Sequence, residues 1–313
     1  MEVDPQKDDG RATAPEVTRE VPPRVAALVV GGVVLAAALA VGVTWVVEKR
    51  RDLVAEVPGL GKFVIRDPGD VIQSHLLMGK PWEPESVAVF EKYVTAGMSV
   101  ADIGAYNGVH TVRFAKLVGP MGHVYAFEPN PASFEMLSIN LGLNGMNERV
   151  VASPVGLAEK AATARLFTAV VHNQGGTVVC SEPDIRDRRR GCDKAVNIET
   201  RMIRIDDDVQ KWFPTRVGFA KIDVEGYEDR VLAGAKGWIA RDRPLIWIEI
   251  WDDQKRALEN MPKTSADTIA LIQSLGYRAI GLIPPWDYLF APVPKPGDPA
   301  PAGSAAASAT PAP

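Results

Sequence analysis

The sequence predicts a doubly wound α/β domain behind a single transmembrane helix. Three observations predict it. Short apolar strand candidates alternate with helix-length segments from residue 85 onwards, a glycine turn joins the first of those strands to its helix, and an uncharged run lies near the N-terminus.

Residues 1–24 are charged, contain proline and show no apolar periodicity, so they are expected to be disordered. From Val25 to Val47 there is no charged side chain, and these 23 residues at ~1.5 Å rise span roughly 35 Å, enough to cross a hydrocarbon core. A buried soluble helix of that length would need apolar neighbours on every side. A cleaved signal would need a short basic lead, whereas Glu2, Asp4, Asp8, Asp9, Glu16 and Glu20 precede the run. Trp45 would sit at one interface, with Glu48, Lys49, Arg50 and Arg51 just beyond. Within 20 residues of the span, four Lys or Arg precede it and five follow, which leaves orientation open. The Lys49-Arg50-Arg51 cluster leans towards a cytosolic catalytic domain.

Residues 48–84 read as a linker and lead-in, and 85–291 as the folded domain. Val87, Phe90 and Val94 have helical spacing over 85–96, and Gly97 stops that helix before a strand at 99–103. Helix at 109–118, strand at 123–127, helix at 131–143 and strand at 150–152 follow, a series that implies a parallel sheet covered on both faces. Regularity breaks between Gly156 and Asp206, where extended segments at 164–169 and 197–205 flank an arginine-rich loop at 182–194, so an insertion is expected. Strands at 219–222 and 245–250 resume around a helix through Val231 and Leu232. Thr264 and Asp267 suggest a capping box for a last helix ended by Gly276, before an antiparallel hairpin over 277–282 and 288–290. The Pro/Ala-rich tail, 292–313, reads as disordered.

Lys and Arg number 35 against 39 Asp and Glu, a formal charge of −4, and no basic stripe is interleaved with aromatics, so nucleic acid is not an expected partner. A small molecule, glycan or lipid fits better. Cys180 and Cys192 form no CxxC pair and lie at no zinc spacing from a histidine; free thiols are expected ahead of a disulfide.

The sharpest motif is Asp102-Ile-Gly-Ala-Tyr-Asn-Gly108, between a strand and a helix. Gly104 and Gly108 let the backbone bend and let a ligand approach the main chain, and the following helix presents free N–H groups. Such a turn can be purely structural. Ala105 and Tyr106 also depart from the G-x-G-x-x-G pattern that a dinucleotide pyrophosphate requires. Glu128, ending the next strand ahead of Pro129-Asn130-Pro131, adds a carboxylate able to accept both hydroxyls of a ribose, which points to a nucleoside.

Together, Asp102-Ile-Gly-Ala-Tyr-Asn-Gly with Thr111, Phe127-Glu-Pro-Asn-Pro with Phe134 and Asn140, and Lys221-Ile-Asp-Val-Glu-Gly-Tyr-Glu228 ahead of Val231-Leu-Ala-Gly-Ala235 resemble the FkbM-type methyltransferases over about residues 87–290. The resemblance implies a seven-stranded Rossmann-like sheet, S-adenosyl-L-methionine over the ends of its central strands, and methyl transfer to an oxygen of a sugar, polyketide or similar acceptor. It puts Asp102, Gly104 and Asn107 along the methionine part of the cofactor and Glu128 on the ribose, with Gly108, Pro129 and Asn130 also expected at the cofactor.

Asp223 and Glu225 end a buried strand at the same edge as the glycine turn, and Glu249 ends the next strand between Trp247 and Trp251. These three carboxylates are the expected catalytic residues, as general base or as orienting groups, because a neutral alcohol is a poor nucleophile. Their convergence would suit a hard divalent cation, but no metal is expected. His110 beside the turn could reach the cofactor rim, though cap or surface packing is the preferred reading, and residues 172–174 read as a border of the acceptor pocket. A nicotinamide oxidoreductase and a catalytically inactive membrane-bound adaptor remain the alternatives.

Overall fold

The computed structural model describes residues 52–168, 175–181, 184–185, 192 and 196–295. The segments 1–24 and 25–47, residues 172–174, most of the arginine-rich loop and the tail beyond 295 lie outside the described residues. Among the described residues, no helix is long and apolar enough to cross a membrane.

The chain enters through an antiparallel hairpin, β1 (Leu53–Val57) and β2 (Gly61–Ile65), and helix α1 (Val71–Leu77). The stretch read as linker is therefore folded. It is followed by α2 (Pro84–Tyr93), β3 (Ser99–Ile103), α3 (Val109–Val118), β4 (His123–Phe127), α4 (Pro131–Leu143) and β5 (Val150–Ser153). The hairpin docks on α4 through side chains that serve as its edge partners: Val64 N–H donates to Asn140 Oδ1 (2.7 Å) and Lys62 N–H to Asn144 Oδ1 (2.9 Å). Phe63, Val64 and Ile65 are buried there.

The expected insertion forms its own sheet from β6 (Gly156–Leu157), β7 (Ala162–Thr168), β8 (Thr177–Cys180) and β9 (Val196–Ile203), in the order β6-β9-β7-β8. Cys180 and Cys192 are bonded in this layer, 5.5 Å apart at Cα. The free-thiol expectation is overturned, because a disulfide needs only a close pair of Cα atoms, and that proximity comes from the fold rather than from any local spacing.

The main sheet resumes after α5 (Val209–Trp212) with β10 (Val217–Ile222), α6 (Glu228–Gly234), α7 (Lys236–Asp242), β11 (Leu245–Glu249), α8 (Asp253–Leu258), α9 (Ser265–Ser274), β12 (Tyr277–Ile283) and β13 (Asp287–Pro292). The Thr264–Asp267 capping box opens α9 as its sequence suggests. Seven strands run in the order β12-β13-β11-β10-β3-β4-β5. The five from β11 to β5 are parallel, and β13 is antiparallel to both of its neighbours.

Both faces are packed. Val100, Phe219 and Trp247 cluster with Phe90 and Phe114, whose rings meet edge-on at 4.9 Å. Ile103, Ile222, Ile246 and Ile248 point the other way, towards Phe213 and Trp238. Strand order reverses between β3 and β10, so their carboxyl ends diverge around a crevice, the place where open α/β sheets bind ligands.

At that crevice the bend after β3 presses on the end of β10. Gly104 has φ +86°, and a Cβ there would lie 1.8 Å from the Asp223 carbonyl oxygen. Replacing Gly104 by Ala forces a left-handed alanine against backbone that has no room to yield. The expected outcome is a loss of about 2–4 kcal/mol in stability, read from urea denaturation of the full chain.

Candidate active site

The bend is held by backbone. Gly104 and Ala105 N–H both donate to the Phe127 carbonyl at 3.0 Å, tying the end of β3 to the end of β4. Tyr106 then adopts φ +49° and turns its N–H onto Glu128 Oε2 at 2.8 Å. Asn130 N–H donates to Glu128 Oε1, also at 2.8 Å. With one backbone donor on each oxygen, the carboxylate cannot rotate, and its remaining lone pairs are left for a ligand.

A cavity of about 240 Å³ opens beside these groups. Of the residues expected at the site, Gly104, Glu128, Pro129, Asp223, Glu225 and Glu249 border it. Asp102, Asn107, Gly108 and Asn130 do not; they shape the wall from behind. Asp102 is fully buried and accepts the Thr111 hydroxyl at 2.6 Å. Asn107 accepts Val109 N–H (3.2 Å), and its carbonyl is bound by the Asn140 amide at 2.7 Å. Gly108 is the left-handed first cap of α3, and a Cβ there would lie 2.5 Å from Leu137 Cδ1. Asn130 caps α4 through Ala132 N–H.

Sequence reasoning gave no role to two charged groups in the cavity wall. Lys221, in mid-strand between Phe219 and Ile222, is 2 % exposed and stands in register with Asp102 on one side and Trp247 on the other. Its Nζ donates to Asp223 Oδ2 at 2.9 Å. Burial alone would lower its pKa, but Asp223, Asp102 and Glu83 outweigh that and hold the ammonium above its usual range. A lysine inside an apolar strand run was the readable signal. Glu83 carried no such signal, because only the tertiary fold brings the start of α2 to the cavity. It has φ +47°, and its Oε2 lies 3.2 Å from His110 Nε2. Burial raises its pKa, yet the hydrogen bond and charge of His110 more than reverse that and leave it below the usual value. His110, for which the sequence favours cap or surface packing over reach to the cofactor rim, borders the cavity and backs a carboxylate.

The remaining carboxylates crowd one another. Burial first and then Asp223 and Glu228 push Glu225 up to about 8. Burial together with Asp223 and Glu225 holds Glu249 well above the ordinary range, although Oε2 accepts the Trp251 indole N–H at 2.8 Å. Glu128 rises to about 7 through burial, which its two backbone donors only partly offset. Among the described residues, no group of three His, Cys, Asp or Glu could hold a metal ion.

The donor set fits a nucleoside carrying positive charge. A fixed carboxylate, Glu128, stands ready for a vicinal diol, and beyond the bend Asp223, Glu225 and Glu249 line the same cavity as an acidic wall. S-adenosylmethionine, with its ribose, sulfonium and ammonium, matches that arrangement. A dinucleotide does not: Ala105 and Tyr106 occupy the bend where its pyrophosphate requires bare backbone.

Comparison with known proteins agrees with this geometry. The family model described as "Methyltransferase FkbM domain" matches residues 102–279. The chain is 29 % identical over 176 residues to methyltransferase sdnD of Sordaria araneosa, covering 49 % of this chain and 66 % of that protein. It is 31 % identical over 110 residues to a tRNA (guanine(26)-N(2))-dimethyltransferase of Metallosphaera sedula, covering 31 % of this chain and 28 % of that one. The chain thus spans less than two thirds of the length of these curated relatives. Among solved structures, methyltransferase FkbM from Methylobacillus flagellatus KT is similar at 15 % identity and TM-score 0.41, over 70 % of this chain and 52 % of that one. A SAM-dependent methyltransferase from Aquifex aeolicus is similar at 14 % identity and TM-score 0.40, over 67 % and 89 %.

The crowded carboxyls make stability depend on pH. Glu128, Glu225, Glu228 and Asp287 are raised to about 7, 8, 7 and 7, so the folded protein keeps protons that the unfolded chain has already released. Their stabilising effect is complete below the unfolded carboxylate range and is lost as pH rises through about 7–8. The carboxyls that are lowered instead, Glu83, Glu135, Asp252 and Asp267, titrate below that window. The ligand-free protein should therefore melt higher at about pH 6 than at about pH 8.5. A net difference of about one bound proton is worth roughly 1.4 kcal/mol per pH unit, or about 2–4 °C, in differential scanning calorimetry.

Proposed function

Because the chain belongs to the FkbM methyltransferase family, whose domain uses S-adenosylmethionine, we propose that this protein methylates an oxygen of a hydroxyl-bearing acceptor such as a sugar, glycan or lipid. One observation carries the reading: a single cavity has a diol-ready carboxylate, Glu128, and, on its far side, carboxylates suited to an alcohol.

The bound donor supplies an electrophilic methyl group on a sulfonium. Glu128 accepts the ribose hydroxyls, and the Gly104 bend admits the amino-acid end without a side chain in the way. The acceptor is oriented by Glu225, which is pushed up to about 8 and so can donate the proton it carries at neutral pH, and by Glu249, whose carboxyl burial and its neighbours hold well above the ordinary range. Asp223, whose Oδ2 accepts the Lys221 ammonium at 2.9 Å, takes the hydroxyl proton at a carboxylate oxygen as the acceptor oxygen becomes methylated. Much of the acceleration comes from proximity and orientation, since the donor is already reactive.

The uncharged run at 25–47 supports a further part of the reading, single-pass anchoring in a membrane. The Cys180–Cys192 disulfide favours the oxidising face of that membrane over the cytosolic face to which the Lys49-Arg51 cluster leans. Alkaline carbonate extraction should leave the full chain in the pellet, and release into the supernatant would remove the anchor.

Incubating the full chain with tritiated S-adenosylmethionine and fractionated glycans, lipids and proteins should label a glycan or lipid fraction in an alkali-stable, ether-like linkage. Label confined to protein amines would sink O-methylation. Glu128→Ala should weaken donor binding by about 2 kcal/mol or more, roughly 30-fold in calorimetry, with little change in melting. Asp223→Asn should spare donor binding and cut turnover by about 100-fold or more; undiminished turnover would take Asp223 out of the chemistry.

A further inference from the structure

The folded lead-in segment, N-terminal to the residues that match the family, reaches the donor pocket. Val71 and Ile72 of α1 border the cavity, and Ile72 packs on Tyr106 with Val64 and Met136. Between them and the bend lies Gln73, fully buried. Its Oε1 accepts two N–H groups, from Arg66 at 2.8 Å and Asp67 at 3.0 Å, so its amide nitrogen is left to donate. That nitrogen donates to the Tyr106 hydroxyl at 2.8 Å. The same hydroxyl donates to Asp70, the N-cap of α1, which accepts Gln73 N–H at 2.9 Å. The phenol is thus gripped from both sides by α1. Its own backbone N–H is the one that fixes Glu128 Oε2.

We propose that Gln73 is a positioning residue for the methyl donor: through the Tyr106 phenol it holds a left-handed bend whose N–H locks the ribose-binding carboxylate, so that residues 53–77 complete the donor site. The proposal rests on the reading that Glu128 holds the donor's ribose. A tyrosine at φ +49° is strained and stays there only while its side chain is pinned. Once the latch is released, residue 106 relaxes towards negative φ and its N–H leaves Glu128. The carboxylate then keeps Asn130 N–H alone. The charged groups that bear on it are otherwise unchanged: Asp102 disfavours its ionised form and Lys221 favours it. With one donor fewer, Glu128 takes up a proton at higher pH, and the neutral carboxyl, no longer fixed on both oxygens, is a weaker acceptor for a diol.

The test is calorimetric titration of the full chain with S-adenosylhomocysteine between about pH 5.5 and 9, for wild type, Gln73→Met, Tyr106→Phe and Glu128→Gln. In wild type the dissociation constant should rise as pH falls through about 7, where Glu128 is protonated. In Gln73→Met and Tyr106→Phe this acid limb should move to higher pH, with about fivefold or greater weakening at pH 7 that fades towards pH 9. Glu128→Gln should bind weakly at every pH, without the limb. Wild-type affinity in both latch variants overturns the proposal, and so does equal weakening at all pH values, which a merely structural role would produce. Should Gln73→Met fail to fold by near-ultraviolet circular dichroism, Tyr106→Phe decides, since it keeps the ring packing. If instead Glu128→Gln binds like wild type, it is the assignment of Glu128 to the ribose that falls.

Discussion

Two strand ends, those of β3 and β10, approach so closely at the crevice of the sheet that only a glycine fits between them, and the rest of the site is built on that approach. A Cβ on Gly104 would sit 1.8 Å from the Asp223 carbonyl oxygen, and Asp223 N–H in turn donates to Ile103 O at 3.0 Å. The bend that follows swings Tyr106 N–H onto Glu128, while the other strand continues into Asp223 and Glu225. The Glu128 carboxylate and the acidic wall of Asp223 and Glu225 therefore lie on either side of one backbone contact. Any displacement of that contact changes both.

The wall is electrostatically expensive. Glu83, Asp223, Glu225, Glu249 and Glu128 share one cavity with Lys221 as the buried cation among them. Burial and mutual repulsion push Glu225 up to about 8 and hold Glu249 well above the ordinary range, while Lys221 pairs with Asp223 and His110 backs Glu83. A cationic donor entering this cavity relieves the crowding, which is a reason for the protein to prefer a sulfonium nucleoside over a neutral or anionic one.

Two accessory layers close the pocket from outside the seven strands. The hairpin and α1 contribute Val71, Ile72 and the Gln73 amide, and the inserted sheet contributes Thr177 and Val179 of β8, whose last residue is the disulfide-bonded Cys180. Arg230, on α6, reaches across to that layer, with 2.6 Å bonds to Ser181 Oγ and Asp184 Oδ1. The sheet thus supplies the glycine bend and the carboxylates, and the accessory layers bound the cavity from outside it.

The alternation of strands and helices, the insertion, the capping box at Thr264 and the closing hairpin were all legible in the sequence, because each depends on periodicity or on caps within about a dozen residues. Glu128 and the Gly104 bend were legible for the same reason, being consecutive parts of one strand, helix, strand unit. The tertiary structure alone decided which residues of those motifs meet the cavity. Asp102 and Asn107 belong to the glycine motif but turn inwards, to Thr111 and to the start of α3, because side chains alternate across a buried strand and its following turn. It also decided the Cys180–Cys192 bond, the Glu83–His110 pair and the reach of Gln73 to Tyr106. Those contacts join residues 12, 27 and 33 positions apart through packing of separate elements, and no local pattern in a chain encodes which of its distant side chains will be brought within bonding distance.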